Sequence, residues 1–543
     1  MPNASLTNMS EIGVITDIEP ANLPVNAFTR AKNVRFDEGS VQRAPLFYVV
    51  QNSLSVAPAF CFGITTTTGG FSTVVLVSDT YDIDEFANGS VSNKNSFTVS
   101  ATTEPFTGTS LANVTYINRV DRAPVFRLNG SNNDFVDLTN WPSNYRTNSL
   151  RTFGDFLLAL NTTEAGATFP TRVRWSNLAL SNAVPDSWDA TDLTKSAGFN
   201  DLVQMRTPIV DGLPLASNFI IYSSDQVWLA DFVGGTFVFS FRKLFGDCGV
   251  INQNCITEVA GKHYVFGTDD IFVHDANSKN SIADQKIKKY VFSTIDTGKT
   301  SLCFTQHNPK LNEIYFCYRS NDDMSVQDVG ADKCNRAAVY NYANGTWSFM
   351  DLPNVTSATT AAISTIITSY ANASSLDYSI GGSYASQEAG QDQHVVFVGN
   401  QALDAAGNAA IPSTNRIYGL DDADGGTLTA PFDTESYEYI KLERTGIDLD
   451  QMASLNGYKV ITKVTPQISG TQARGTFNFA FAGNDLMSDA PDFSNVVNFD
   501  PLTEHKIDVR ASGRYLSYSL TYTAIMDFNF VGFDAEIKVT GRR

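Results

Sequence analysis

Pairs of short β-forming segments return along this chain at intervals of roughly 40 to 60 residues, and that recurrence constrains the fold more than any other feature. Phe60–Ile64 stands with Val74–Val77, Leu111–Ile117 with Val125–Leu128, and Phe156–Leu160 with Arg172–Ser176. Phe219–Tyr222 stands with Gln226–Leu229, Ile256–Phe266 with Asp270–His274, Glu313–Cys317 with Ala338–Tyr342, and His394–Val398 with Arg416–Gly419. Spacings this short leave no room for long helices, and each pair supplies much of a four-stranded sheet. A periodic array of such sheets has one economical arrangement, a ring of blades that leaves only short edges unpaired. The fold class is therefore all-β, with residues 45–428 forming a β-propeller of roughly six to eight blades.

Two polar stretches interrupt the array and read as insertions near 79–110 and 353–390, and long excursions in a compact domain are uncommon unless they contact something. Ala361–Ile367, inside the second, is open between helix and strand. Asp421-Asp422-Ala423-Asp424-Gly425-Gly426 marks a domain boundary. Beyond it Tyr437–Leu442, Tyr458–Val464, Thr476–Phe481, His505–Val509, Tyr515–Tyr522 and Phe533–Val539 read as strands of a C-terminal β-sandwich over residues 429–543. Tyr515–Leu520 alternates as a half-buried antiparallel strand does. At the other end, residues 1–44 read as an arm and a hairpin, with Val34, Phe36 and Val41 around the turn Asp37-Glu38-Gly39. This hairpin is expected to open the first repeat.

Charged residues make up only 17% of the chain, against about a quarter in ordinary domains, so a large buried core is assured. The net charge of −19 argues against a surface that grips nucleic acid from outside, because phosphate affinity comes from clustered Lys and Arg. An acidic conduit that repels DNA fits the same number. No apolar run approaches the 18 or more residues that span a bilayer, so membrane insertion is not expected, nor is a cleaved signal peptide. Cys61, Cys248, Cys255, Cys303, Cys317 and Cys334 form no Cys-x-x-Cys pair, which points away from zinc and fits synthesis in a reducing cytosol. Cys248 and Cys255 flank a short loop and are the one candidate bridge.

The residues with chemical potential mostly read as scaffold. Trp347 follows Asn341-Tyr342-Ala343-Asn344-Gly345-Thr346, a turn resembling the Asp-box of propeller sialidases but with Asn in place of Asp and one residue fewer after Gly345. Asp269-Asp270, Asp322-Asp323 and Asp421-Asp422 read as solvated loop acids. Asp79, Asp82, Asp84 and Glu85 offer oxygen ligands for calcium yet match no EF-hand spacing. His263 and His274 flank strand residues in one blade, while His307, His394 and His505 belong to no catalytic motif. No catalytic, cofactor-binding or metal-binding set is nominated, and no cofactor is expected.

A family resemblance emerges when the motifs are taken in order. Gly13-Val14, Leu23-Pro24, Asn33-Val34-Arg35-Phe36, the acidic-Gly turn and Arg43 before Pro45 resemble the amino-terminal signature of nozzle proteins (tail tubular protein B) of short-tailed bacteriophages. Arg172-Val173-Arg174-Trp175-Ser176, Trp188, Ser196–Leu202, Ile221–Trp228, Phe245–Val250, Thr268–Asp275 and Ala338–Ser348 resemble the propeller of those proteins. Ser512–Ser517 and Gly541-Arg542-Arg543 resemble their closing sandwich. The same architecture is similar to that of packaged-DNA stabilisation proteins. The resemblance implies a virion structural protein of the tail, assembled in the host cytoplasm: a homo-oligomeric ring, a hexamer, below portal and adaptor. Its partners would be the adaptor (head-tail connector) ring above, tail fibres or other tail proteins, and double-stranded DNA in transit through the lumen. It would help retain the genome and then release it, and it would not be an enzyme. Two rivals remain, a tail-borne glycosidase, which needs two carboxylates about 5 to 9.5 Å apart in an axial cleft, and a receptor-binding propeller.

Overall fold

The computed structural model describes residues 3–37, 39–51, 54–65, 72–87, 89–129, 133–235, 237–322, 333–362, 393–400, 415–420, 440–449, 457–469, 476–522 and 527–541. Within them, four-stranded antiparallel sheets follow one another as blades of a propeller. Blade 1 is Pro58–Thr65, Ser72–Ser78, Asp82–Ala87 and Ser90–Ser96. Blade 2 is Thr107–Leu111, Val114–Asn118, Val125–Leu128 and Val136–Asp137. Blade 3 is Tyr145–Phe153, Phe156–Glu164, Ala167–Trp175 and Gly198–Asp201, and blade 4 is Ile209–Leu215, Asn218–Ser223, Gln226–Phe232 and Phe239–Gly246. Blade 5 is Ile256–Val259, Lys262–Phe266, Ile271–His274 and Lys279–Ser281. Every pair of segments singled out from the sequence lies in a different blade, and most are its two middle strands.

The last two blades share a strand. Thr346–Ala362 pairs through residues 346–355 with Cys334–Asn341, completing blade 6 behind Phe304–Asn308 and Glu313–Tyr318. Its far half, from Val355 onward, pairs with Gln393–Asn400 and starts blade 7, which continues through Asn415–Leu420. The outermost strand of blade 7 comes from the other end of the chain: Phe47–Gln51 pairs antiparallel with Asn415–Leu420. Among the described residues the ring therefore has seven blades, fastened where early and late sequence meet.

Contacts near the axis link each blade to the next. Phe60 and Phe106 rings stack at 5.9 Å between blades 1 and 2, and Thr107 Oγ1 accepts from the Leu150 N–H at 3.2 Å between blades 2 and 3. Ser149 donates to Asp211 at 2.7 Å, Asp211 accepts from the Asn254 N–H at 3.0 Å, and the Thr305 N–H donates to the Asn254 carbonyl at 2.8 Å, which carries the chain of contacts to blade 6. Gln306 donates to Thr360 at 2.9 Å, and the Gly63 N–H donates to Thr359 at 2.8 Å, closing blade 7 on blade 1. Gly63 has no room for a side chain, since a Cβ there would lie 2.3 Å from the Thr360 carbonyl oxygen.

The sandwich is built from both chain ends. One sheet orders Ile507–Gly513, Tyr458–Ser469, Asn529–Gly541, Ser40–Arg43 and Val34–Asp37, with Asn3–Leu6 also on Asn529–Gly541. The other orders Arg30–Lys32, Ile440–Ile447, Tyr515–Tyr522, Phe477–Asn484 and Val496–Phe499. Between them pack Phe28, Phe36, Phe479, Tyr518, Phe530 and Phe533, in a core that runs on into blades 4 to 6. Lys32 pairs with Phe349, so one sheet of the sandwich is continuous with blade 6.

Two expectations are corrected. The hairpin of residues 34–43 does not open the first repeat: Val41 and Gln42 pair with Phe530 and Asn529, so most of the 1–44 arm belongs to the sandwich. The stretch 79–110 is not an insertion, because Asp82–Ala87 and Ser90–Ser96 are the outer strands of blade 1 and Thr107–Leu111 begins blade 2. Outer strands face solvent, which makes Ser90–Ser96 polar and loop-like in sequence. The insertion near 353–390 is strand up to Ala362, and its remainder, with Ile363–Ile367 and the acidic boundary at 421–426, lies outside the described residues. Among the described residues no helix is long and apolar enough to cross a membrane.

Ring and sandwich are joined by a buried ion pair. Arg35 Nε donates to Glu313 Oε1 at 3.0 Å, Tyr315 donates to Glu313 Oε2 at 2.8 Å, and Glu313 is only 1% exposed. Arg35→Met strands that carboxylate and is expected to cost about 3–5 kcal/mol, whereas Arg35→Met with Glu313→Met recovers most of the loss. Urea denaturation of the full chain checks both; equal instability of single and double variants would refute the pair as the junction's anchor.

Candidate functional site

The axis of the ring is where inner strands converge, and its chemistry follows from what they carry. Arg151 on the inner strand of blade 3 binds Asp211 on that of blade 4 in bidentate fashion, at 2.8 and 2.6 Å. The same guanidinium donates to the Gly108 carbonyl at 3.1 Å and to Asn254 Oδ1 at 2.9 Å, so one side chain ties blades 2, 3, 4 and 5 together. Asp211 is fully buried. Burial alone would push its carboxyl up, but Arg151, the Ser149 hydroxyl and the Asn254 N–H outweigh that and hold it below the ordinary carboxylate range. This pair is structural: both charges are consumed by each other, and neither is left to act on a substrate.

Above that network lies a cavity of about 460 Å³, lined at one end of the ring by residues of all the inner strands. Phe60, Phe62, Phe106 and Phe304 form its apolar wall; Asp79, Glu104, Asn252, Gln253, Thr305 and Thr356 are among its polar groups. Asp79 and Glu104 are exposed. Sequence reasoning did not bring these residues together, because they come from inner strands and connecting segments of several blades that lie far apart along the chain.

His263 and His274 do meet, around a tyrosine from the neighbouring blade. Tyr222 Oη lies 2.8 Å from His263 Nδ1 and 2.5 Å from His274 Nε2. His263 Nε2 reaches the Pro214 carbonyl at 2.8 Å, so that nitrogen carries the proton and Nδ1 accepts from Tyr222. The Ala276 N–H donates to His274 Nδ1 at 3.2 Å, so His274 carries its proton on Nε2 and donates to Tyr222. Every donor finds one acceptor with both rings neutral. Burial pushes His263 down to about 4, and burial with the neighbouring His263 pushes His274 down to about 3. Burial also raises the Tyr222 phenol well above its usual value. The trio is a satisfied polar core between blades 4 and 5.

The remaining candidates disperse. Asp82 accepts from Thr80 at 2.7 Å and Asp84 from Asn93 at 2.9 Å, while Glu85, on the opposite strand face, binds Arg127 at 2.5 Å. Asp79 lies on the axial cavity instead, so the four proposed calcium ligands do not converge. Among the described residues no three His, Cys, Asp or Glu stand together as metal ligands. Asp270 accepts from Ser281 at 2.8 Å, Asp322 takes Arg336 at 2.7 Å, and Asp323, Asp421 and Asp422 lie outside the described residues. His307 contacts Tyr342 at 3.2 Å, and His505 is exposed. All six cysteines are buried and free, so Cys248 and Cys255 are not bridged, and burial lifts Cys61 and Cys303 to about 12.

The motifs that carry the family resemblance build scaffold. Arg174 binds Glu164 at 2.9 Å through two nitrogens, and Arg172 binds Glu164 at 2.9 Å and Asp201 at 2.7 and 2.8 Å. In the turn before Trp347, Asn344 Oδ1 accepts from the Thr346 hydroxyl at 2.6 Å and Gly345 has φ +78°. Trp347 itself is buried and donates to the Ile282 carbonyl at 2.8 Å.

No family model matches the chain, and no curated protein matches it. Three solved structures are weakly similar: a chain of the mitotic checkpoint complex, at 8% identity and TM-score 0.39 over 68% of this chain and 94% of that one; the WD40 β-propeller domain of Doa1, at 7% and 0.35 over 71% and 99%; and YCF48 bound to a D1 peptide, at 9% and 0.30 over 55% and 83%. Likenesses this distant carry no weight here, and the propeller rests on the strand pairing itself.

The histidine trio sets a pH dependence. Because both folded-state values lie below the unfolded value of about 6.5, the unfolded chain binds more protons in acid, and this part of the stability is intact above 6.5 and lost as pH falls toward 4. The melting temperature should therefore drop over that window, less steeply in His274→Gln. Tyr222→Phe leaves two buried ring nitrogens unpaired and should cost about 1–3 kcal/mol at pH 7.

Proposed function

We propose that this chain is a subunit of the tail nozzle of a short-tailed bacteriophage, a non-enzymatic ring of six identical copies that continues the DNA channel below portal and adaptor. The observation that carries the reading is where its sequence signatures lie. The amino-terminal signature and the aromatic turn each resemble the family separately, and in the fold they form one junction: Asn344 donates to the Phe36 carbonyl at 2.6 Å across 308 residues of sequence. Gly13, with φ +75°, packs so closely on Trp347 that a Cβ would lie 2.9 Å from its carbonyl oxygen. Stretches that must fold against one another are expected to resemble a family together, as these do.

The axis of a single propeller does not serve as the conduit in this reading. The cavity lined by its inner strands, about 460 Å³, has the volume of a small-molecule site. Duplex DNA would instead run between copies. The net charge of −19 then supplies the lining: carboxylates facing a passage keep phosphate from adhering, whereas Lys and Arg would release counterions and hold it. A β ring suits the role because its strands are cross-linked all round and contain no hinge.

The test is the mass and image of the purified full chain. Light scattering should give six chain masses, and negative-stain images a closed ring with a central hole. A monomer at every concentration, or a closed dimer without a hole, would overturn the proposal.

A further inference from the structure

We propose that copies of this chain join head to tail, the hairpin tip of blade 4 on one copy docking on the free edge of the sandwich on the next. The inference takes its second copy from the ring reading above and rests on it. It starts from two exposed apolar patches. The first is the tip between Gln226–Phe232 and Phe239–Gly246, where Phe232, Val233 and Phe237 project into solvent and Phe237 is 78% exposed. Its shape is held from within: the Val233 N–H donates to the Val238 carbonyl at 3.0 Å, and the Phe232 ring packs on Phe156 at 5.8 Å and on Phe239 at 5.9 Å. The second patch lies along Val496–Phe499, the last strand of its sheet, where Leu486, Met487, Val496 and Leu502 are exposed. Among the described residues Phe239–Gly246 and Val496–Phe499 each pair with one strand only, so each also offers an unpaired backbone edge.

Clustered apolar surface of this kind marks an interface, and charge selects what covers it. At the first patch Arg242 and Lys243 are offset by Asp231, 3.8 Å from Arg242, and by the exposed Asp155 next to Phe156, so the patch is close to neutral. At the second, six Asp and Glu between residues 485 and 510 face only Lys506 and Arg510, a local balance of −4. The second patch on a copy of itself sets −4 against −4, and an anionic lipid surface repels it in the same way. The first patch on a copy of itself opposes Arg242 and Lys243 to their own kind and leaves the second bare, as does a lipid surface that takes the first alone. First against second covers both sets of apolar side chains and brings the two cations to the carboxylates. Two unlike patches that complement one another make a heterologous contact, which closes into a ring when repeated, whereas a self-complementary patch stops at a dimer.

The test uses variants of the full chain whose changes are confined to exposed side chains: Val233→Asp with Phe237→Asp for the tip, and Leu486→Lys with Met487→Lys for the sandwich edge. Both should keep the melting temperature of the unaltered chain, and each alone should sediment at one chain mass where the unaltered chain sediments as a ring. Mixed in equal amounts, the two variants hold one intact tip and one intact edge between them and should form a species of two chain masses and nothing larger. A ring retained by either variant would overturn the proposal while leaving the ring reading standing. Self-association of one variant alone, or a mixture that stays at one chain mass, would also overturn it. An unaltered chain that is monomeric at every concentration would overturn both readings. Flotation of the unaltered chain with phosphatidylethanolamine–phosphatidylglycerol vesicles, abolished by the tip substitutions, would assign the tip to a lipid surface and overturn the proposal as well.

Discussion

Both halves of the molecule hang on one strand. Thr346–Ala362 is the outer strand of blade 6 in its first half and the inner strand of blade 7 in its second, and at Phe349 it also pairs with Lys32 of the sandwich. A propeller that closes with a strand from the far end of the chain cannot complete its last blade until Phe47–Gln51 arrives. That segment follows directly on the strands that the amino terminus gives to the sandwich. Ring closure and sandwich assembly are thus coupled through covalent connectivity, and neither domain corresponds to a continuous stretch of sequence. The contacts involved span most of the chain, which makes their loop-closure entropy large and predicts slow, concerted folding.

Given so few charges, the number that are buried is informative. Arg151 with Asp211, Arg127 with Glu85, Arg172 and Arg174 with Glu164, and Arg35 with Glu313 all lie inside the fold. Removing two ions from water costs about as much as their attraction returns, so such pairs add little net stability over a hydrophobic contact. Their effect is geometric. A blade interface of Val, Ile and Phe alone tolerates sliding, whereas Arg151 reaches Asp211, Gly108 and Asn254 together in one register. The pairs fix how each wedge sits against its neighbours, and a ring that must close on itself admits little accumulated error.

What the sequence revealed follows the same physics. The middle strands of blades are buried on both faces, so Phe219-Ile220-Ile221-Tyr222 or Glu313–Cys317 read as apolar runs and mark every blade. Outer strands such as Ser90–Ser96 and Lys279–Ser281 are half solvated and read as loops, which is why residues 79–110 looked like an excursion. The hairpin at 34–43 was legible as a hairpin, but its sheet was not, because its partner strand Asn529–Gly541 lies at the opposite end of the chain. Of the site, the Asn344-Gly345 turn under Trp347 was visible as local turn chemistry. The Tyr222 bridge between His263 and His274 was not, since two of its three members are brought together only by cross-strand pairing and the third by blade packing.

For the proposed passage, the overall charge matters less than its placement. At physiological salt the Debye length is about 8 Å, so a carboxylate on the outer rim exerts no useful force on a duplex moving between copies. Many of the acids are disposed of in other ways: Asp211, Glu164, Glu85 and Glu313 are neutralised inside blades, Asp186 pairs with Lys195, and Asp189, Asp192 and Asp275 cap turns at the surface. A repulsive lining would therefore have to come from a minority of exposed carboxylates within one screening length of the phosphates. Such a lining would act on the rate at which DNA slides rather than on any equilibrium of binding, because a surface that never holds the polymer contributes no bound state from which it must escape.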